Sequence, residues 1–299
     1  RIAPMRMRTM SLWESKESNG KVSLASLFEG DADVAAISDL TIEGLAYATC
    51  RGGWPASTKL KEKAALRVAR NYVEEVINYD VHRVDGVDKN TTRVRKLLES
   101  YARNISTMAA NETIMADVRA TDQTISPNTF AIYLSALRRI FIVDDVPAWS
   151  PALRSKTKIR TSPKRHFVDP SIAVALMGTN PQGLLKDFPT FGFLFEDLCA
   201  RDLRVYAQAL DGEVYHYRDK NELECDLVVA LRDGRWGAVE VKLGKNEEEE
   251  AAKHLIELSE NIDNQRMKSP SFLMILTAGQ YAYRRADGVY IVPIGCLKD

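Results

Sequence analysis

Cys225-Asp226-Leu227-Val228-Val229-Ala230 and, after the turn Arg232-Asp233-Gly234-Arg235, Trp236-Gly237-Ala238-Val239-Glu240-Val241-Lys242 decide how this chain is read. Both runs are apolar and strand-like, and each carries charge where burial is expected. Side chains alternate between the faces of a strand, so Glu240 and Lys242 share one side and Val239 and Val241 the other. Carboxylates from neighbouring strands, with an amine beside them, can hold a divalent cation and an attacking water. Phosphodiester hydrolysis is therefore the first chemistry to weigh. Asp226 and Glu240 would supply metal-binding oxygens, with the Val241 carbonyl as a third ligand, and Mg2+ or Mn2+ would be the cofactor. Lys242 would orient the water or neutralise the pentavalent phosphate, and Glu196 on the preceding helix would complete the acidic cluster. The competing reading is a salt-bridged solvent face, because Glu-x-Lys on a strand arises often by chance.

The surroundings set those strands in an α/β frame. The pattern predicts a long helix over 190–210, strands near 213–218, 225–231 and 236–242, a helix over 247–264 and strands near 271–277 and 289–294. Upstream the chain is mostly helical. Residues 41–50 read as a short helix stopped by Arg51-Gly52-Gly53-Trp54-Pro55. Over 58–78 an amphipathic helix would bury Leu60, Ala64, Val68, Tyr72 and Val76, and over 91–108 another would bury Val94, Leu97, Leu98, Tyr101 and Ile105. Ser126 reads as an N-cap with Pro127 at the first helical position, and Arg138 and Arg139 close that helix where cations suit its dipole. Ile140 to Val143 reads as a strand.

Between Val146 and Val168 stand six basic residues (Arg154, Lys156, Lys158, Arg160, Lys164 and Arg165) and no acid. Helices, a capped helix, a strand and a basic hairpin-like segment together suggest a winged helix-turn-helix over 111–180. Arg138, Arg139, Arg154, Lys156, Lys158 and Arg160 would contact phosphates there. The basic segment reads alternatively as a solvated loop balancing acids elsewhere. The expected fold class is thus α+β and multidomain: a helical region over 1–110, the winged helix, and an α/β restriction-endonuclease-like domain over 181–299.

Composition narrows the setting. The chain has 299 residues and a formal net charge of zero, so any nucleic-acid contact must be a local patch rather than a global field. Cys50, Cys199, Cys225 and Cys296 form no CxxC pair and have no histidine at ligand spacing, which points to buried reduced thiols in a cytoplasmic protein. No apolar run is long enough to span a bilayer, so no membrane association is expected. The start at Arg1, without methionine, suggests part of a longer polypeptide.

Asp226, thirteen intervening residues and Glu240-Val241-Lys242, preceded by a helix carrying Glu196, resemble the PD-(D/E)xK nuclease pattern. More of the chain resembles the C-terminal portion of prokaryotic AAA-type ATPases that carry a DUF4143-type domain. The matching words are Ser11-Leu12-Trp13-Glu14, Gly52-Gly53-Trp54-Pro55, Thr129-Phe130-Ala131-Ile132-Tyr133-Leu134, Pro163-Lys164-Arg165-His166-Phe167-Val168-Asp169, Phe195-Glu196 and Glu240-Val241-Lys242. The resemblance implies metal-binding roles for Asp226 and Glu240 and a catalytic role for Lys242. It also implies an ATPase core followed by a helical lid, a winged helix and a nuclease-like domain.

The chain departs from that pattern in having no GxxxxGK[ST] segment, so no ATP site is expected within it. Arg139-Ile140-Phe141-Ile142-Val143-Asp144-Asp145 imitates a Walker B strand but is read as the strand after the recognition helix. Expected partners are DNA, an ATPase core in the same polypeptide and a second copy of the chain. The leading functional expectation is a nucleic-acid-binding module with Mg2+-dependent phosphodiester hydrolysis. The alternatives are an inactive nuclease-like fold that binds DNA or protein, and a regulatory, antitoxin-like interaction protein.

Overall fold

The computed structural model describes residues 6–30, 34–84, 86–151, 161–262 and 267–299. Arg154, Lys156, Lys158 and Arg160, expected to touch phosphates, lie outside the described residues. The chain opens with β1 (Val22–Ser23), α1 (Leu24–Glu29), β2 (Ala36–Ile37), α2 (Ile42–Arg51) and α3 (Glu62–Glu75). It continues through α4 (Thr91–Arg103), α5 (Asn111–Thr121), α6 (Pro127–Arg139) and α7 (Pro170–Met177). The long α8 (Phe188–Ala209) leads into β3 (Gly212–Arg218), β4 (Glu224–Leu231) and β5 (Trp236–Lys242). Then follow α9 (Glu248–Asn261), β6 (Phe272–Thr277), β7 (Tyr281–Arg284), β8 (Tyr290–Pro293) and β9 (Leu297–Lys298).

Local chemistry explains many of these boundaries. Thr41, Asn90, Ser126, Asp169 and Asp187 each cap a helix by accepting a backbone N–H in its first turn, relieving donors that have no partner within the helix. Ser126 and Pro127 open α6 as the sequence predicts, and Phe130, Leu134 and Leu137 are buried. In α4, Val94, Leu97, Leu98 and Tyr101 are likewise buried, with Ile105 beyond its end.

The face of α3 is different from the expected one. Ala65, Ala69, Val73 and Val76 are buried, while Leu60 and Ala64 are exposed. Apolar residues occupy two adjacent stripes of this helix, and packing against α7 selects the one with small side chains. Tyr72 is left to meet Trp54 at 4.6 Å between ring centroids.

The predicted strand at Ile140–Val143 is also replaced. Ile140 to Ile142 make a turn in which Phe141 takes φ +61°, and pairing is confined to isolated antiparallel bridges, Val143 with Phe167 and Val146 with Lys164. The ladder is interrupted at His166, whose N–H donates to Asp145 Oδ1 at 3.4 Å while the facing Asp144 carbonyl accepts Arg204.

A seven-stranded sheet, ordered β2-β7-β8-β6-β5-β4-β3, forms the C-terminal half. β3, β4 and β5 run antiparallel, whereas β6 lies parallel to β5 because α9 carries the crossover. β2 joins from the N-terminal region by pairing with β7, and β1 pairs with β9. One face of the sheet meets α8 through Leu227, Val229, Val239 and Met274, in a core continuous with the helical region. The other face buries Val228, Trp236, Ala238 and Ile275 against α9. All four cysteines are buried free thiols. No helix among the described residues is long and apolar enough to cross a membrane.

Candidate functional site

The register of β4 and β5 pairs Leu227 with Val239, which brings Asp226 and Glu240 to adjoining positions at the end of that ladder. The Val241 N–H donates to Asp226 Oδ2 at 3.0 Å, locking the carboxylate onto β5. Lys242 Nζ lies 2.9 Å from Glu240 Oε2 and 3.6 Å from Asp226 Oδ2. Glu196 projects from α8 toward the same point. Asp226, Glu240, Lys242 and Glu196, named from the sequence, are therefore brought together.

A fifth group completes the cluster, and the sequence reading missed its part. Lys164, on the segment bridged to Val146, places its Nζ 2.7 Å from Glu196 Oε1 and 3.0 Å from Asp226 Oδ1. Its side chain is only 7% exposed, so the ammonium is held between two carboxylates and away from water. Lys164 and His166 are two apart on extended backbone and point to the same side. His166, fully buried, meets Asp197 Oδ1 at 2.6 Å, next to Glu196 on α8. The signal available beforehand was this spacing, together with an excess of acids over amines in the cluster. Its partners, however, are 32 and 62 residues away in the chain.

The electrostatics follow from enclosure and pairing. Burial lifts the Glu196 carboxyl to about 7, with Lys164 pulling against that rise and Asp226 adding to it. Burial, then the charge of Asp226, also raises Glu240, and Lys242 offsets only part of this. Asp226 goes the other way: burial would raise it, but Lys164, Lys242 and the Val241 N–H hold it below the usual carboxylate range. Burial disfavours charge on Lys164 and Lys242, yet the carboxylates outweigh it and keep both amines above their ordinary values. Deep in the protein, burial drives His166 down and Asp197 up.

Two openings reach the cluster. A cavity of about 800 Å³ between the start of α8 and the ends of β5 and β6 exposes Asp226 and Lys242 beside Phe188 and Phe193. A second, of about 460 Å³ on the α9 side, meets Asp226, Glu240 and Lys242 among Glu224, His254 and Glu257. Among the described residues, no three His, Cys, Asp or Glu side chains are arranged to hold a metal ion. Arg138 and Arg139 stand apart from the cluster; Arg138 pairs with Asp145 at 2.7 Å, and Arg139 is exposed at the end of α6.

A family model described as "Domain of unknown function (DUF8612)" matches residues 42–183. One described as "Domain of unknown function (DUF4143)" matches residues 191–297, in agreement with the DUF4143-type resemblance. Glu196, Asp226, Glu240 and Lys242 fall in the second matched region and Lys164 in the first, so the cluster is assembled from both. No curated protein and no solved structure matches the chain.

Proposed function

We propose that the C-terminal half is a nuclease-like domain of the PD-(D/E)xK type whose acidic cluster is neutralised from within. The chain then serves an AAA-type ATPase core as a non-hydrolytic nucleic-acid-binding or regulatory module. The order α8, three antiparallel strands, α9 and a parallel strand supports the nuclease-like kinship. In the same reading α5, α6 and the bridged segment after them form the winged helix.

The observation that carries the proposal is the Lys164 ammonium lodged between Glu196 and Asp226. A divalent cation needs free carboxylate oxygens and a net negative site. Here Glu196 and Asp226 each turn an oxygen to Lys164, and Asp226 and Glu240 each turn one to Lys242, so every carboxylate is already paired with an amine. The cluster as arranged does not fit Mg2+ or Mn2+. What it does instead is fasten β4, β5, α8 and the segment around Lys164 at one point. The hydrolytic reading retains one supporting feature, the open cavity that reaches Asp226 and Lys242.

A cleavage assay separates the two. Supercoiled plasmid incubated with the 299-residue chain and millimolar Mg2+ or Mn2+ should be nicked no faster than with Asp226→Ala. Nicking by the wild type that disappears in both Asp226→Ala and Lys242→Ala would overturn the proposal.

A further inference from the structure

The cavity of about 800 Å³ beside the acidic cluster has an aromatic mouth. Phe188, Pro189, Gly192 and Phe193, three and four apart along the first turns of α8, share the helix face that forms one lip. The Phe188 and Phe193 side chains are 51% and 47% exposed. Lys245 and Glu248 belong to the opposite lip, and each reaches a further exposed ring. The Lys245 ammonium lies 5.5 Å from the centroid of Tyr281, and Glu248 Oε2 accepts the Tyr283 hydroxyl at 3.2 Å. Tyr281 stands opposite Ile37 in the β2–β7 ladder, and Ile37 is exposed as well. Exposed apolar surface thus runs from α8 across the cavity to the edge of the sheet. Folded chains rarely leave such a patch uncovered unless something binds it.

Charge at the mouth selects the occupant. Glu196, Asp226 and Lys242, which reach the cavity, are already paired within the cluster. Among the described residues the Glu247 side chain has no hydrogen-bond or ion-pair partner, and Glu248 meets only the neutral Tyr283 hydroxyl. Lys245 pairs with neither of them. Two carboxylates and one ammonium leave the rim negative. A phosphate backbone is repelled there, whereas an apolar segment with a lysine or arginine beside its anchor matches both features.

We infer that this mouth docks a basic, apolar peptide segment of a partner protein. An aromatic or aliphatic anchor enters the cavity beside Phe188 and Phe193, and a cation faces Glu247 and Glu248. The apolar surface continues past the cavity onto Tyr281, Tyr283 and Ile37, which suits a length of chain rather than a small molecule. The inference rests on the non-hydrolytic reading of the cluster, since a strand being cleaved would need the same cavity.

Selection of a random-peptide phage library on the immobilised full chain tests the inference, followed by fluorescence anisotropy of the selected peptide after synthesis and labelling. Selected sequences should combine a phenylalanine, tryptophan or leucine anchor with lysine or arginine. Phe193→Ser should weaken the labelled peptide about tenfold. Phe193 is exposed, so its loss leaves the packing of α8 intact. On Glu247→Lys/Glu248→Lys the same selection should lose its basic residues. Failure to enrich any sequence, the same basic consensus on the charge-reversed rim, or peptide binding that Phe193→Ser leaves unchanged would overturn the inference. Oligothymidylate binding that Phe193→Ser abolishes would also overturn it, by assigning the rings to bases. A wild-type dimer in sedimentation that Phe193→Ser converts to monomer would do the same, by assigning the surface to a second copy. The nicking assay reports separately on the non-hydrolytic reading, so a failure there and a failure here are told apart.

Discussion

Lys164 donates to Glu196 and Asp226 from an almost fully enclosed position, so its loss would leave two carboxylates facing each other with one ammonium fewer between them. Lys164→Met keeps the length of the side chain and removes its charge. We expect it to cost about 3–5 kcal/mol in urea unfolding, as for removal of one partner from a buried ion pair. An unchanged midpoint would place the bridge among weak surface pairs. Glu196 supplies a second test. Its carboxyl rises from 4.5 to about 7 on folding, so the folded state binds its proton more tightly. The resulting stabilisation is complete below about pH 4.5 and is lost as pH rises through 7. Asp226 shifts the opposite way, and its contribution is lost only below its ordinary 3.8, outside that window. Melting temperature should therefore fall less between pH 4.5 and 7 in Glu196→Gln than in the wild type; parallel profiles would contradict the assignment. Asp226, Glu240 and Lys242 were legible because strand alternation is local and their turn is short. Lys164 was not, since nothing nearby in the chain states which carboxylates it will meet.

Among the elements, α8 carries the largest burden of buried charge. Arg201, nearly inaccessible, lies 3.2 Å from Asp169 Oδ2 and 2.7 Å from Asp202 Oδ1. Asp169 in turn caps α7 and accepts the Gly53 N–H at 2.9 Å, while Asp202 accepts the Leu12 N–H at 3.0 Å. One guanidinium thereby ties α8 to α7 and to two loops. Arg201→Met should destabilise by about 3–5 kcal/mol, because both aspartates stay buried with a charge uncompensated. A loss below about 1 kcal/mol in a denaturant titration would show that the loops rather than Arg201 fix the junction. Gly53 marks how closely those loops approach: a Cβ there would sit 2.0 Å from the Met10 carbonyl oxygen, so Gly53→Ala must displace the N-terminal segment. Caps and long apolar periods made the helices readable. The rotated face of α3 was not readable, since its two apolar stripes differ mainly in which one α7 covers.

Over the whole molecule, the two ends of the chain close one structure. β1 pairs with β9, β2 extends the sheet through β7, and the Asn19 N–H donates to the Gly295 carbonyl at 2.9 Å. β1, β2 and β9 escaped the sequence because they span two residues each, too short for alternation to register. A fragment starting at Phe188 would lack β2, Leu12 and Lys164 together. It should unfold at a lower denaturant concentration and less cooperatively than the full chain; a matching midpoint and slope would show that the sheet region stands alone. The α/β frame and its acids were readable from residues 196–242, but the lysine that completes the cluster is contributed by the other half of the molecule. Calorimetric titration of Mg2+ and then Mn2+ into the full chain, beside Asp226→Ala, tests that completed cluster most directly. With Lys164 in the cation's place, wild type and variant should both give only dilution heats. Saturable binding to the wild type that vanishes in Asp226→Ala would contradict the account.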